Sequence, residues 1–575
     1  MPNNNNNDYH LVYFTHRELV ALVEHADSEV DVISFLANHP VLERGEGYDT
    51  LCKQVTVLQG LHLGGKSTIE SICESEISFG IDTEQSKVLS FSSSRGTYSS
   101  LVFFPVDFAG ELSAEATARL EHEIDDEVHV PLQGDDAFLL YLVGELNRRI
   151  IVASNDETSE NLPVLKAVSL NWLLGGAPSQ VSTGGPGSKP VPPVGSGAAN
   201  NWAFVVSDSG LPTPRATRPQ QFPGYADFRD GFNSAACPNP VKVVLLDTAP
   251  SQARLASAST KFGAQNALFS QLIAPGGIPT GNFEIVYYDD SEDKEFKDTY
   301  GLKEHNYDMA DHGLFIAGIV RTLAPEAQLE LIQVLNDYGV GSIKALSAAV
   351  DRLKTEHAQQ AGMAMVVNSS LTITFPFEES QIDSSGQSFL DDFYKLLLEI
   401  YRELGLEDEF KEALVGHVSA LYYALRQCGM MLFAAAGNDG DKNSGKEVEA
   451  RFPAAFPGVY GVGARDADYS NEADKQPEEG FLAFGGDPNN LGTDGILGLY
   501  TREKFPKDGS GAQQDNDLGL ARWAGTSFAT AIVTGTFVRL VCRGCDSDTA
   551  RQYMQQAVIE TGVSKGNVLP VKQGQ

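Results

Sequence analysis

Val243-Val244-Leu245-Leu246-Asp247 is an unbroken apolar run that ends in a carboxylate. A run without polar alternation is typical of a strand that is buried on both faces of a parallel sheet. Further apolar runs follow along the chain and alternate with helix-length segments. This alternation predicts an α/β domain whose parallel sheet is covered by helices on both sides.

The same pattern predicts the neighbouring elements of this domain. The predicted strands span residues 285–288, 329–335, 363–367, 430–435 and 459–462, and the predicted helices span residues 251–272, 312–323 and 342–359. An acidic helical insert is predicted at residues 389–414. Active sites of α/β proteins gather at the carboxyl ends of parallel strands, and Asp247 stands at such an end.

The first part of the chain predicts a separate α+β domain of residues 1–174, either an accessory domain or one resembling a pro-segment. Its predicted elements are two amphipathic helices within residues 8–45, strands at 54–58, 99–106 and 138–143, and a polar helix at 114–124. The composition then changes to Gly, Pro, Ser and Val, which predicts a linker over residues 175–200. The parallel-sheet domain is expected over residues 201–575.

The chain is strongly acidic, with 77 Asp and Glu against 42 Lys and Arg and a net charge of -35. Nucleic acid is not expected as a partner, because its phosphates would be repelled. No apolar stretch approaches the roughly 18 residues that a membrane span needs, so no membrane partner is expected. The Asn-rich N-terminus lacks the features of a secretory signal, so a cytoplasmic location is expected.

The six cysteines are scattered through the chain, which predicts reduced thiols rather than a disulfide framework. Cys542 and Cys545 form one C-x-x-C pair, and no second pair is present to complete a zinc site. No metal or cofactor is therefore predicted, and the sequence does not tell whether a structural calcium ion is bound.

The segment Gly60-Leu61-His62-Leu63-Gly64-Gly65-Lys66-Ser67 has the spacing of a phosphate-binding loop, and it lies between a strand-like run and a helix-like run. Its candidate nucleotide-binding residues are Gly60, Gly65, Lys66 and Ser67. A convincing partner carboxylate is missing, because Pro105 weakens the run before Asp107 as a central strand. A chain with 55 glycines also produces such a match by chance in a small fraction of cases.

Three further polar residues stand at the ends of apolar segments. His312 opens a helix of small and apolar residues, Asn438 closes an apolar strand, and Ser527 lies at the start of an apolar helix. Acyl transfer by a serine needs a base, a carboxylate that orients this base, and donors for the oxyanion. The chain supplies all of these groups, in the order Asp247, His312, Asn438, Ser527.

The segments around these four residues resemble the motif blocks of the subtilisin-like serine proteases, the peptidase S8 family. The resemblance covers roughly residues 240–575. The segment Val366-Val367-Asn368-Ser369-Ser370-Leu371 resembles the substrate-binding strand of the family, and residues 451–464 resemble the strand and loop that precede its serine block. A divergent member of this family is therefore indicated.

The resemblance implies a serine endopeptidase that hydrolyses a polypeptide substrate. Ser527 would be the nucleophile, His312 the general base and acid, and Asp247 the carboxylate that orients the histidine. The Asn438 amide and the Ser527 backbone N–H would form the oxyanion hole. The residues implied in substrate binding are Ser370, Leu371, Ala435, Ala436 and Gly437.

Several positions depart from the pattern of the family. Asp247-Thr248-Ala249 stands where Asp-Ser/Thr-Gly is usual, His312-Gly313-Leu314-Phe315 replaces His-Gly-Thr-His, and Ala531 replaces a proline. Leu371-Thr372-Ile373 stands where glycines are frequent, so the cleft is expected to differ. None of these changes removes a reacting group.

Two other functions stay open at this point. One is a catalytically silent subtilase scaffold that serves as a binding module, and the other is a protease regulated by nucleotide through the segment at residues 60–67. A regulatory partner could also act through the N-terminal domain. Asp208, in Ser207-Asp208-Ser209-Gly210, is a second candidate for the carboxylate, but Asp247 follows a longer apolar run and precedes a helix-length segment.

Overall fold

We analysed a computed structural model of the chain. The structure describes residues 14–26, 30–39, 42, 78–81, 86–92, 97–109, 139, 142–144, 146–151, 153, 163–176, 189–193, 204–206, 212–214, 240–288, 309–360, 362–373, 398, 401–402, 405–440, 448–465, 467–472, 480–507, 513–542, 544–559 and 567–568. The predicted strand at residues 54–58 and the predicted helix at 114–124 lie outside these residues.

The strands are numbered in chain order. They are β1 (Phe14–His25), β2 (Ser78–Ile81), β3 (Lys87–Ser92), β4 (Tyr98–Ala109), β5 (Val164–Gly176), β6 (Phe204–Val206), β7 (Pro212–Pro214), β8 (Val241–Thr248), β9 (Ile273–Ala274), β10 (Ile278–Pro279), β11 (Phe283–Val286), β12 (Gln328–Leu335), β13 (Val340–Ser342), β14 (Ala364–Ser369), β15 (Leu371–Ile373), β16 (Met431–Ala435), β17 (Tyr460–Ala464), β18 (Gly480–Ala483), β19 (Ile496–Leu499), β20 (Leu520–Trp523) and β21 (Asn567–Val568).

The helices with defined bounds are numbered in the same way. They are α1 (Val32–Ala37), α2 (Gln252–Phe262), α3 (Ala267–Leu272), α4 (His312–Leu323), α5 (Ile343–Gln359), α6 (Glu407–Gln427), α7 (Leu491–Asp494), α8 (Thr526–Cys542) and α9 (Ser547–Ile559). A single 3₁₀ turn, Pro488–Asn490, precedes α7.

The chain divides into two compact units. The first consists of Met1–Leu173, Ser342–Arg352 and Phe375–Gln427, and the second of Leu174–Gly341, Leu353–Thr374 and Cys428–Gln575. Each unit is therefore assembled from segments that are distant in the sequence. The boundaries at residues 174 and 200 that the composition suggests stay a prediction.

The first unit contains an antiparallel sheet with β1 at its centre. β1 pairs with β4 on one side and β5 on the other, and both β3 and β2 pair with β4. The predicted strand at residues 99–106 is confirmed as the middle of β4. Two apolar neighbours in β1, Leu19 and Val20, are both fully buried, as expected for a central strand that is covered on both faces.

Two of the predicted elements in this unit are wrong. The first amphipathic helix predicted within residues 8–45 is the strand β1, because pairing along both of its edges overrides the local pattern. The strand predicted at residues 138–143 is helical where the structure describes it. The six-residue run was too short to reveal the helical spacing of the buried apolar residues. These residues are Leu139, Leu142, Val143, Leu146 and Ile150.

The first and the last segment of the first unit are joined by hydrogen bonds. The Ser169 hydroxyl and the Trp172 indole N–H both donate to the carbonyl oxygen of Leu414 in α6, at 3.1 and 3.2 Å. The Tyr401 hydroxyl donates to the carbonyl of Gly144. The apolar face of α6 is buried, although the insert predicted at this position is acidic.

The second unit contains a parallel sheet of eight strands. Its order is β11-β12-β8-β14-β16-β17-β18-β21, and every neighbouring pair is parallel. This confirms the α/β fold class predicted from the apolar runs. β8, which contains the run from Val243 to Asp247, is buried along its whole length.

The predicted helix at residues 312–323 is confirmed as α4, and the one at 342–359 agrees with α5 to within one residue. The helix predicted over residues 251–272 is two helices, α2 and α3, because the chain turns at residues 263–266 and the Asn266 side chain caps α3. Every residue of α4 and α8 is buried, which is why both are rich in small and apolar residues.

Three further features bear on the expectations from sequence. Within the predicted linker, Val191 forms an antiparallel bridge with Arg522 of β20. Cys542 is disulfide-bonded, contrary to the expected reduced thiols, whereas Cys428 and Cys545 are free. In the part of the chain that the structure describes, no helix is long and apolar enough to cross a membrane.

Candidate active site

Asp247 lies near the carboxyl end of β8, at the point where the order of the parallel sheet reverses. After β8 the chain supplies β11 and β12 on one side of β8 and later β14 on the other side. Ligand sites of α/β sheets form at such switch points, outside the carboxyl ends of the strands. The Asp247 side chain is buried, and its Oδ1 accepts a hydrogen bond of 2.7 Å from the backbone N–H of Thr248.

His312, the first residue of α4, is hydrogen-bonded to this carboxylate. The distance between His312 Nδ1 and Asp247 Oδ1 is 2.8 Å. An ionised carboxylate only accepts hydrogen bonds, so Nδ1 is the donor in this pair. Among the residues that the structure describes, Nε2 is buried and has no hydrogen-bond partner.

Thr248 and Gly313 fix the approach of α4 to the end of β8. The Thr248 hydroxyl donates to the carbonyl of Met309 at 2.9 Å and accepts from the backbone N–H of Gly313 at 3.2 Å. A Cβ atom on Gly313 would lie 2.2 Å from the Thr248 carbonyl oxygen. Glycine is therefore required after the histidine, because any side chain would push the helix away from the strand.

An aromatic cluster packs against the imidazole ring of His312. The centroids of the Trp523 and Phe528 rings each lie 5.3 Å from that of His312, and Trp523 meets it edge to face. Phe315 packs against Phe528 at 4.7 Å and against Trp523 at 5.8 Å. Phe315 is one of the departures from the family pattern, and its ring completes this cluster.

Ser527 is the second residue of α8, and Ser370 lies next to it. The Ser370 hydroxyl is 3.3 Å from the carbonyl oxygen of Ser527 and 2.9 Å from Asn368 Oδ1. Asn368 Nδ2 donates in turn to the hydroxyl of Thr534, in the same helix as Ser527. The carboxyl end of β14 is thus tied to the first turns of α8.

Asn438 lies in the turn after β16, and its amide is oriented by the residue before Ser527. The backbone N–H of Thr526 donates to Asn438 Oδ1 at 2.9 Å, which identifies this atom as the oxygen. The backbone N–H of Gly437 donates to the Thr526 hydroxyl at 3.3 Å. Asn438 Nδ2 is buried and has no partner among the described residues, so two N–H donors remain unused.

The segment expected to bind substrate is itself paired with another part of the chain. Leu371–Ile373 of β15 runs antiparallel to Leu174–Gly176, the last residues of β5. The backbone N–H of Ile373 also donates to the carbonyl of Phe452 at 2.8 Å. Ala435, at the end of β16, and the following Ala436 are buried and lead directly to Gly437 and Asn438.

The sequence offers two further candidates, a phosphate loop and a second carboxylate. The possible phosphate loop with Gly60, Gly65, Lys66 and Ser67 lies outside the described residues, as does Asp208. Within the described residues, no group of three or more His, Cys, Asp or Glu side chains is arranged to hold a metal ion.

Two residues that contact the Asn438 turn are not indicated by the sequence: Thr526, through its backbone N–H and its hydroxyl, and Asn471, whose Oδ1 accepts from the N–H of Asp439. Thr526 stood in the quoted serine motif without an assigned role, although its position before the serine was visible. Asn471 lies in a loop 33 positions after Asn438, and no spacing or motif in the sequence connects the two.

A sequence model of the subtilase family, Peptidase S8, matches residues 216–574. A solved structure described as the crystal structure of a lanthipeptide protease is similar at 19% sequence identity and a TM-score of 0.32, covering 58% of this chain and 86% of that chain. A search of the curated proteins finds no match.

Proposed function

Because the chain belongs to the subtilase family of serine peptidases, we propose that it is an active serine endopeptidase with Asp247, His312 and Ser527 as its catalytic triad. The substrate class proposed is polypeptide. The observation that carries this proposal is the 2.8 Å hydrogen bond between Asp247 and His312 Nδ1, together with the unpartnered Nε2 on the same ring.

In this mechanism, the Ser527 hydroxyl attacks the carbonyl carbon of the scissile peptide while His312 Nε2 takes the hydroxyl proton. Asp247 keeps the proton on Nδ1, which leaves Nε2 able to act as the base, and it stabilises the imidazolium that forms. The protonated Nε2 then gives its proton to the leaving amine, and the acyl-enzyme remains. Water hydrolyses the acyl-enzyme by the same steps in the second half of the reaction.

Negative charge develops on the carbonyl oxygen during each attack. We assign its stabilisation to Asn438 Nδ2 and to the backbone N–H of Ser527. Two features support this assignment: the bond from Thr526 N holds the amide oxygen, and the N-terminus of α8 favours negative charge. Preorganised donors of this kind stabilise a transition state without reorganising when the charge appears.

The last residues of β5 are proposed to restrain this activity. Leu174–Gly176 pair with β15, which begins at the expected substrate-binding residue Leu371, and backbone pairing of this kind is how extended peptides bind to a strand edge. A polypeptide substrate would compete with these three residues for the same strand. A regulatory partner could favour the enzyme by releasing them.

The direct test is reaction of the full chain with a fluorophosphonate probe, followed by mapping of the labelled residue. We expect label on Ser527, and none on the Ser527→Ala variant, which loses one oxygen atom from an otherwise unchanged fold. Ser347→Ala is the matched control, because Ser347 is a buried serine outside the site, and this variant should be labelled as the wild type is. Label that persists in Ser527→Ala would refute the assignment.

The two alternatives predict other results in the same experiment. A catalytically silent scaffold would take up no label in the wild type. A nucleotide-regulated protease would be labelled only when nucleotide is present. The cytoplasmic location stays a prediction, and the disulfide of Cys542 weighs against it, because stable disulfides are rare in reducing compartments.

A further inference from the structure

We propose that Asn471 is a positioning residue, which holds the backbone on both sides of Asn438 so that the Asn438 amide points to the developing oxyanion. This inference rests on the proposed function and adds a residue to it. Asn471 lies in the loop after β17 and is 1% exposed.

The backbone N–H of Asn471 holds the peptide group that precedes Asn438. It donates to the carbonyl oxygen of Gly437 at 3.1 Å. Gly437 has a φ of +115°, and a Cβ atom there would lie 2.5 Å from Asn471 Nδ2. The turn therefore needs glycine both for its backbone angle and for the close approach of Asn471.

The side chain of Asn471 holds the peptide group that follows Asn438. Its Oδ1 accepts from the backbone N–H of Asp439 at 2.7 Å. Its Nδ2 donates to Asp439 Oδ2 at 3.1 Å and to the carbonyl of Glu449 at 3.0 Å. Both N–H donors and the oxygen of this amide are thus used, and the amide cannot rotate without breaking all three bonds.

These contacts restrict the backbone conformation at Asn438. The two peptide groups that flank its Cα atom determine the direction of the Cα–Cβ bond, and Asn471 holds one atom of each. The bond from Thr526 N then fixes the rotation of the side-chain amide. Asp439 is anchored further by an ion pair with Arg451, whose own backbone N–H donates to the carbonyl of Ala436 at 2.8 Å.

The inference is tested by a cycle of Asn471→Ala, Asn438→Leu and the double variant, with kcat, KM and thermal midpoint measured for each. We expect Asn471→Ala to lower kcat by about tenfold or more with KM little changed, a part of the 10²- to 10³-fold loss known for removal of a whole oxyanion donor. In the Asn438→Leu background, Asn471→Ala should leave kcat unchanged, because no donor remains to be positioned.

Asn266→Ala is the matched control. Asn266 is also buried, and its amide makes the same set of bonds, since Oδ1 accepts from the N–H of Phe269 and Nδ2 donates to the carbonyls of Leu518 and Gly519. Its loss should lower the thermal midpoint without changing kcat. If Asn471→Ala does not fold, Asn471→Leu, which retains the volume but neither accepts nor donates a side-chain hydrogen bond, is measured in its place with the same expected pattern.

The outcomes separate this inference from the proposed function. If the wild type hydrolyses peptide and Asn471→Ala has an unchanged kcat, or lowers it equally in the Asn438→Leu background, Asn471 has no positioning role although the enzyme assignment stands. If the wild type neither hydrolyses peptide nor reacts with the fluorophosphonate, the proposed function fails and this inference fails with it.

Discussion

The side-chain oxygen of Asn438 accepts a 2.9 Å hydrogen bond from the backbone N–H of Thr526, the residue immediately before Ser527. Asn438 follows β16, whereas Thr526 begins α8, so the bond ties the end of a central strand to the start of the buried helix. Because the oxygen is held in this way, the amide N–H groups point in a direction that the backbone determines. Any change that moves the start of α8 therefore also moves the proposed oxyanion donor.

The role of Asn438 predicts a loss of turnover without a loss of binding. Asn438→Leu retains the size of the side chain but has no N–H donor, so kcat should fall by about 10² to 10³ while KM barely changes. This magnitude is the one known for a subtilisin, a member of the same family. Steady-state kinetics and the thermal midpoint measured together provide the test. A lowered midpoint with unchanged kcat would show that Asn438 only shapes the turn.

The hydrogen bond between Asp247 and His312 predicts a large effect of Asp247→Asn. The amide can donate to Nδ1, which would stabilise the tautomer with its proton on Nε2, and turnover should fall by about 10⁴, as for the analogous change in another serine protease. Asp208→Ala is the control and should leave kcat within about twofold of the wild type. If Asp208→Ala were the variant that abolished turnover, the assignment of the carboxylate would be wrong.

His417 predicts a pH dependence of stability that is separate from catalysis. This histidine of α6 is fully buried, neither ring nitrogen has a partner among the described residues, and burial lowers its pKa to about 3. The unfolded chain takes up this proton below pH 6.5 and the folded chain does not, so stability should fall as the pH drops from 6.5 towards 3. The contribution of one proton is about 1.4 kcal/mol per pH unit.

His417→Leu removes this contribution. Chemical denaturation at pH 5 and at pH 8 should show a smaller difference in the free energy of unfolding for the variant than for the wild type. The values at pH 8 serve as the internal control, because neither state is protonated there. An equal difference in both proteins would exclude His417 as the source of the slope.

Lys66 tests the nucleotide alternative. A phosphate loop that binds ATP in the folded state would raise the thermal midpoint of the wild type, and Lys66→Ala would lose that increase. We expect ATP with Mg²⁺ to shift neither protein, because the motif is matched by spacing alone. A shift in the wild type that is absent from the variant would support nucleotide regulation.

Much of the parallel sheet could be predicted because its strands are buried on both faces and are flanked by helices of regular length. The run at Val243 and the helix at His312 lie where the pattern indicates. The fold of the first unit is harder to predict from the sequence, because β1 pairs with strands about 80 and 150 positions away. Local periodicity does not depend on such pairing, so the pattern of the segment with Leu19 and Val20 predicts a helix.

The residues of the candidate site likewise include some that the sequence indicates and others that it does not. Asp247 and His312 could be predicted as a pair because each stands at the end of an apolar element, and the structure joins the two by a hydrogen bond. The contacts of Asn471 could not be predicted, because they depend on where a loop lies after the whole sheet has formed. Of the aromatic rings around His312, Phe315 stands out in the sequence as a departure from the family pattern, whereas no pattern connects Trp523 or Phe528 with the histidine.

The first unit is assembled from separate segments of the chain, and this has a consequence for cleavage by a protease between residues 177 and 188. The N-terminal fragment would still be held by hydrogen bonds to the later segment Phe375–Gln427, through Ser169 and Trp172 to Leu414 and through Tyr401 to Gly144. Such a nicked molecule would elute from a sizing column as one particle of 575 residues less any excised stretch. It would separate into two chains only in denaturant, so cleavage alone would not discard the N-terminal fragment.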